Sequence, residues 1–226
     1  MPRKKDGEAS PPASKAKPAA AGKKTAAPRG KPPAVKSAGE VPLYLMKIQL
    51  KGLRPPVWRT FFIPSDITLM QLGFVIEDVM GWSGGHLHEF DIYGDTYQDH
   101  TFPDAEGQDE SKHRLNSFGF GRNSKFLYVY DFGDWWEHEL TVMDTDYLPK
   151  DSKQRVGCLD GKRACPPDDC GGPPGYKDLL AILAAPGHPE HETMKEWVEE
   201  VAGEDFDPEY FSVEEMDGEL RSYRYS

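Results

Sequence analysis

The chain has 226 residues, of which 38% are hydrophobic and 29% charged, and its formal net charge is −11. No stretch approaches the roughly 20 apolar residues of a helical membrane span, so a helical integral membrane protein is excluded and a soluble, cytoplasmic protein is expected. The total charge hides a division. Residues 1–40 hold ten Lys or Arg against three Asp or Glu, a net +7, whereas residues 41–226 hold 17 against 35, a net −18.

The first forty residues are mainly Lys, Ala, Pro, Gly and Ser, with a single Val and no aromatic. Such a segment has too little apolar surface to offset the entropy of ordering, and a disordered basic tail is expected. Its spacing of Lys among Ala and Pro is similar to the tails of linker histones, which points to non-specific nucleic-acid contact through counterion release. A solubilising extension or an over-long start is the alternative. No apolar run follows the basic residues and Arg is scarce, so neither a signal peptide nor a transit peptide fits.

Residues 41–226 are enough for one domain with its own core. From Leu43 to Lys51 the chain alternates, with Tyr44, Met46, Ile48 and Leu50 on one face, as in a half-buried strand. Pro55-Pro56 turns it into a second strand, Val57 to Ile63, to complete a hairpin. Thr68-x-x-Gln71 is a capping box, and Leu69, Leu72, Ile76, Val79 and Met80 recur at helical spacing up to a stop at Gly81.

A third strand covers about His88 to Tyr93 and ends at Gly94. The acidic stretch from Asp99 to about Asn116 reads as a long surface loop. Phe126 to Tyr130 and Trp135 to Met143 are further strands, joined by the Asp-Phe-Gly-Asp turn. A helix over Tyr176 to Ala185 follows the cysteine loop, and Pro189 starts another, with Met194, Trp197, Val198 and Val201 as its apolar stripe. Asp207-Pro208-Glu209 reads as the start of a last short helix. The order predicts an α+β domain, with a β-grasp-like mixed sheet, a covering helix and a C-terminal helical section packed on the sheet.

Two short segments concentrate ligand-type residues, and together they suggest one built site. In Tyr130-Asp131-Phe132-Gly133-Asp134-Trp135-Trp136-Glu137-His138, Gly133 is the natural residue for a positive φ. The turn would then present Asp131 and Asp134 together at a sheet end. Two close carboxylates suit a divalent metal or shared-proton acid and base work, and the alternative is that they bond turn amides. His138 falls on the apolar face with Trp136, Leu140 and Val142, where a buried histidine is expected rather than a ligand. His86 and His88 flank Leu87 and share a face if extended, an arrangement able to grip a metal. Asp131-Phe132-Gly133 matches the kinase metal motif by chance, because no Gly-rich phosphate loop or H-R-D sequence accompanies it.

In the second segment Cys158, Cys165 and Cys170 lack the C-x2-C knuckle common in zinc sites. In the cytosol they should stay reduced. They either complete a zinc site with a His or Asp or pack as small apolar residues, in a loop stiffened by Pro166-Pro167 and turned by Gly171-Gly172.

From about Tyr44 to Leu220 the chain resembles the plasmid pRiA4b ORF-three-like family. The resemblance rests on Leu45-Met46-Lys47-Ile48-Gln49-Leu50, Pro55-Pro56-Val57-Trp58-Arg59, Gly85-His86-Leu87-His88-Glu89-Phe90, the Tyr130 to His138 segment, and Cys165-Pro166-Pro167-Asp168-Asp169-Cys170-Gly171-Gly172 with Gly175-Tyr176. It implies an α+β fold and a frequent link to mobile elements. Some relatives bear the label of transposon resolvases. A serine resolvase needs a nucleophilic Ser among Arg residues, and this acidic domain has no such cluster.

Two functions follow. The first is a non-enzymatic binding module that takes a protein partner on its acidic surface and on Trp135, Trp136 and Tyr176, while residues 1–40 touch nucleic acid or fold back on the acidic face. The second is a metal-dependent hydrolase or nuclease in which Asp131, Asp134 and His138 act with His86 or His88 around zinc or another divalent metal. The second requires these side chains to converge.

Overall fold

A computed structural model describes residues 41–222, so the basic segment 1–40 and its nucleic-acid reading lie outside the described residues. The sheet starts with the expected hairpin, β1 (Leu43–Leu50) and β2 (Trp58–Pro64), in antiparallel register from Leu43↔Pro64 to Gln49↔Trp58. Helix α1 (Leu69–Met80) follows, with the capping box made by Thr68 and Gln71 and a left-handed Gly81 at its end. After it come β3 (His88–Ile92), β4 (Asp95–Gln98), β5 (Gln108–Asp109), β6 (Lys125–Tyr130), β7 (Trp136–Tyr147) and β8 (Gly157–Lys162). The eight strands form one sheet in the order β5-β4-β3-β6-β7-β1-β2-β8. Only the β4–β5 pair is parallel, so the sheet is mixed, with a covering helix and a later helical section, an α+β fold.

The core lies between α1 and one sheet face. Met46 and Ile48 of β1, Phe61 and Ile63 of β2, Tyr128 and Tyr130 of β6, and Trp136, Leu140 and Val142 of β7 are fully buried there, facing Leu69, Leu72, Val75, Ile76 and Val79. The period-2 alternation of the strands and the 3.6-residue period of the helix both aim apolar side chains at this layer. Arg59, on the same β2, is equally buried. Its guanidinium donates to the carbonyls of Val79, Met80, Trp58 and Lys162 at 2.9–3.4 Å and lies 3.9 Å from the Phe211 ring centroid. The buried cation is therefore met by the negative end of α1 rather than by a carboxylate.

Four expectations need correction. The 99–116 stretch is not simply a surface loop. It contains β5 and two 3-10 turns, Glu110–Lys112 and Leu115–Phe118, and both Glu110 and Leu115 are fully buried. Strands β4 and β8 were not expected. Gly157-Cys-Leu-Asp-Gly-Lys has little strand propensity, and pairing with β2 makes it a strand, with both glycines leaving room for rings: a Cβ on Gly161 would lie 2.3 Å from Phe211. The C-terminal helices are α2 (Gly172–Leu183), α3 (His191–Ala202) and α4 (Val213–Ser222). Helix α2 begins earlier than expected because Pro173 and Pro174 suit its first turn. The last helix begins at Val213 rather than near Pro208, and it packs against β8 and α1.

Candidate functional site

Three loops meet where β6 turns into β7: the segment 81–87 after α1, the turn 131–135, and the segment 163–171 before α2. Hydrogen bonds stitch them together. Asp131 N–H donates to Leu87 O at 2.9 Å, Ser83 N–H to Asp168 Oδ2 at 3.2 Å, and Gly171 N–H to Asp134 Oδ2 at 2.9 Å. The start of α2 lies so close to the turn that a Cβ on Gly172, whose φ is 66°, would sit 2.3 Å from Asp134 O. Only glycine fits there, which accounts for the Gly171-Gly172 pair.

The turn itself differs from expectation. Gly133 does not take the positive φ; Asp131 (59°) and Trp135 (56°) do. Asp131 Oδ1 accepts the Gly133 amide at 2.8 Å, an Asx-type bond that leaves Oδ2 pointing away from the turn. That oxygen lies 3.6 Å from His86 Nδ1, and His86 Nε2 lies 3.7 Å from Asp169 Oδ1. One ligand-type atom from each of His86, Asp131 and Asp169 lies within 4.8 Å of the others, and among the described residues this is the group that could hold a metal. The His86 ring stands edge-on to Tyr130, with centroids 5.5 Å apart.

The other candidate ligands go elsewhere. Asp134 is held by the Gly171 amide, so Asp131 and Asp134 do not act as a pair. His138 is fully buried in the core, as its apolar strand face predicts, and Trp82 Nε1–H donates to its Nε2 at 3.4 Å. Burial pushes its pKa down to about 4, so the ring is neutral at pH 7. His88 points under α1. Its Nε2 lies 3.0 Å from Glu110 Oε2 and its Nδ1 3.5 Å from Glu77 Oε1. Burial alone would lower the His88 pKa, but the bonds to Glu110 and Glu77 outweigh it and hold the pKa up at about 9, which makes the ring an imidazolium between two carboxylates. Gly73 makes room for it, since a Cβ there would lie 2.9 Å from His88 Nε2.

The cysteines are free thiols. Burial pushes Cys158 up to about 11, Cys170 up to about 12 and Cys165 well above its usual value, so all three stay protonated. They join no metal-type group among the described residues and pack in or against the core. The expected aromatic surface also shrinks. Trp136 and Tyr176 are fully buried, because the alternation of β7 turns Trp136 inward against Trp82 and α2 turns Tyr176 into the core. Trp135 stays 51% exposed, with Phe132 at 37% and its ring centroid 6.0 Å away.

Sequence reasoning missed Asp169, Glu77 and Glu110. Asp169 stands beside Asp168 in the cysteine loop, and its signal was the doubled carboxylate. Glu77 interrupts an otherwise apolar helix and lies four residues from Gly73 on the buried face, a spacing that could have flagged it. Glu110 had no local signal.

Comparison with known proteins agrees with this fold. The chain is 32% identical over 154 residues to the uncharacterized protein y4hQ of Sinorhizobium fredii (strain NBRC 101917 / NGR234), covering 67% of this chain and 78% of that protein. The crystal structure of the protein of unknown function MM3350 from Methanosarcina mazei Go1 is similar, with a TM-score of 0.65 and 34% identity. That match covers 76% of this chain and 96% of the other. No described helix is long and apolar enough to cross a membrane. The family model described as plasmid pRiA4b ORF-3-like protein matches residues 42–215, and the chain belongs to that family.

Proposed function

We propose that residues 41–226 form a non-enzymatic binding module whose recognition surface is the lip around Phe132 and Trp135, and that its partner is a basic protein segment. The observation behind this reading is Trp135. Its ring is half exposed, which forgoes burial of a large apolar surface, and its backbone sits at φ 56°, a conformation that costs a non-glycine residue about 1–2 kcal/mol. Neither feature serves the core, and backbone strain of this kind clusters at binding sites. Trp is also among the residue types most enriched at interface hot spots. Asp131 and Asp169 stand beside the lip, in a domain with a net charge of −18, which favours a Lys- or Arg-rich partner.

The hydrolase or nuclease reading loses its support because Asp134, His138 and His88 point away from Asp131 and His86. In the proposed function residues 1–40 add a sequence-independent contact to nucleic acid. Its signature is an affinity that falls steeply with salt and disappears when the segment is removed. The lip is tested by probing an array of Lys- and Arg-rich peptides with the protein and its Trp135→Ala variant. Peptides held by the first and lost by the second are expected. An identical profile for both would remove Trp135 from the recognition surface.

A further inference from the structure

The His86 ring lies between Asp131 and Asp169 at ion-pair distance from each, without a hydrogen bond to either. The gaps of 3.6 and 3.7 Å exceed hydrogen-bond length, whereas an imidazolium beside a carboxylate normally closes to about 2.7–2.9 Å. Among the described residues neither His86 nitrogen makes a hydrogen bond, and Asp131 Oδ2 accepts none although its side chain is only 10% exposed. A mostly buried carboxylate and an imidazole that face each other without bonding keep lone pairs free for a third partner.

The same side chains suit a different occupant. A single ion takes one His86 nitrogen, and with one donor atom from each of the three residues these atoms lie within 4.8 Å of one another, so small side-chain rotations bring them to the roughly 3.4 Å that separates ligands around a tetrahedral ion. The supports of such a site are also in place and use other atoms. The Gly133 amide fixes Asp131 through Oδ1, Tyr130 flanks the His86 ring, and the three loops are joined by the Asp131–Leu87, Ser83–Asp168 and Asp134–Gly171 bonds. Partners of this kind orient a ligand without occupying it.

We infer that His86, Asp131 and Asp169 form a divalent-cation site at the junction of the three loops, with zinc as the fitting ion. One imidazole with two carboxylates suits zinc better than magnesium or calcium, which take oxygen ligands alone. Asp169, with a side chain 73% exposed, is the outer ligand, and the positions beyond it are open to water or to a donor group from outside. The site shares Asp131 and Asp169 with the peptide-binding proposal, but cation uptake is measured without a partner, so the two readings fail separately.

The test is calorimetric titration of tagless full-length protein with zinc sulfate after chelation and dialysis, with elemental analysis of the product. One zinc per chain is expected, with binding weakened about tenfold or more in His86→Ala and in Asp169→Asn and no competition from millimolar magnesium. Asp169→Asn changes an exposed side chain, so its result stands even if His86→Ala fails to fold. Zinc uptake that is absent, or that is the same in wild type and Asp169→Asn, would overturn the site. Uptake lost only in a Cys165→Ala variant would overturn it as well.

Discussion

His86 and His88 stand two residues apart and meet opposite environments. His88 is the first residue of β3, lies under α1, and is clamped between Glu77 and Glu110 in a pocket that Gly73 leaves open. His86 precedes the strand, beyond the reach of the helix, and faces two carboxylates with neither nitrogen hydrogen-bonded among the described residues. The same side-chain chemistry is used for cohesion in one place and left available for a ligand in the other. What separates them is the cover above each ring, which is a property of the packed molecule.

The largest effect that can break this comparison comes from removing a partner in the buried triad. Glu110→Ala leaves the His88 cation with Glu77 alone, and breaking a buried pair this way costs about 3–5 kcal/mol. Asp169→Ala at the open cluster should leave the stability of the metal-free protein essentially unchanged. Urea denaturation of the two variants decides the matter, and equal midpoints would mean that the triad contributes no cohesion.

A pH series sharpens the contrast. Because the His88 pKa is raised to about 9 in the fold, its stabilisation is complete below its ordinary value near 6.5 and is lost as pH rises through 9. The size of the loss is on the order of 3 kcal/mol. His138 works in the other direction, since its pKa is lowered to about 4 and its contribution is lost as pH falls from 6.5 towards 4. The two together predict maximum stability near pH 6.5, an alkaline limb that flattens in His88→Gln, and an acid limb reduced in His138→Phe. Denaturant midpoints that are level between pH 6.5 and 9 would contradict the charged triad.

Gly73→Ala should cost about 1–3 kcal/mol by crowding His88, although alanine is the better helix former by about 1 kcal/mol. In a His88→Ser background the same change should become neutral or stabilising, a coupling that a double-mutant cycle reads directly. The smallest effect is at the lip. Trp135→Gly relieves the positive φ and should raise thermal stability by the equivalent of about 1 kcal/mol, while binding of basic peptides is lost. A fall in stability would show that the ring serves the fold.

Part of this molecule is legible in the amino-acid sequence alone. The capping box at Thr68 and the stop at Gly81 bounded α1, and alternation placed Tyr44 to Leu50 and His138 on their faces, because these signals depend only on neighbours in sequence. His138 could be assigned to the core for the same reason. The site was legible as a location, through the 130–138 and 165–176 segments, and His86 and Asp131 were among its candidates.

The membership of the site was decided by tertiary structure. Asp134 had the same local credentials as Asp131, and the arrival of Gly171 at the turn removed it. Asp169 was brought to His86 by the fold of a loop more than eighty residues away in sequence. Glu110 became a buried partner of His88 only because β5 docked on β4 and brought the next turn against α1. Local pattern fixes which face a side chain takes within its own strand or helix. Which distant group meets it, and whether water is excluded from the meeting, depends on how separate segments pack, and no local period encodes that.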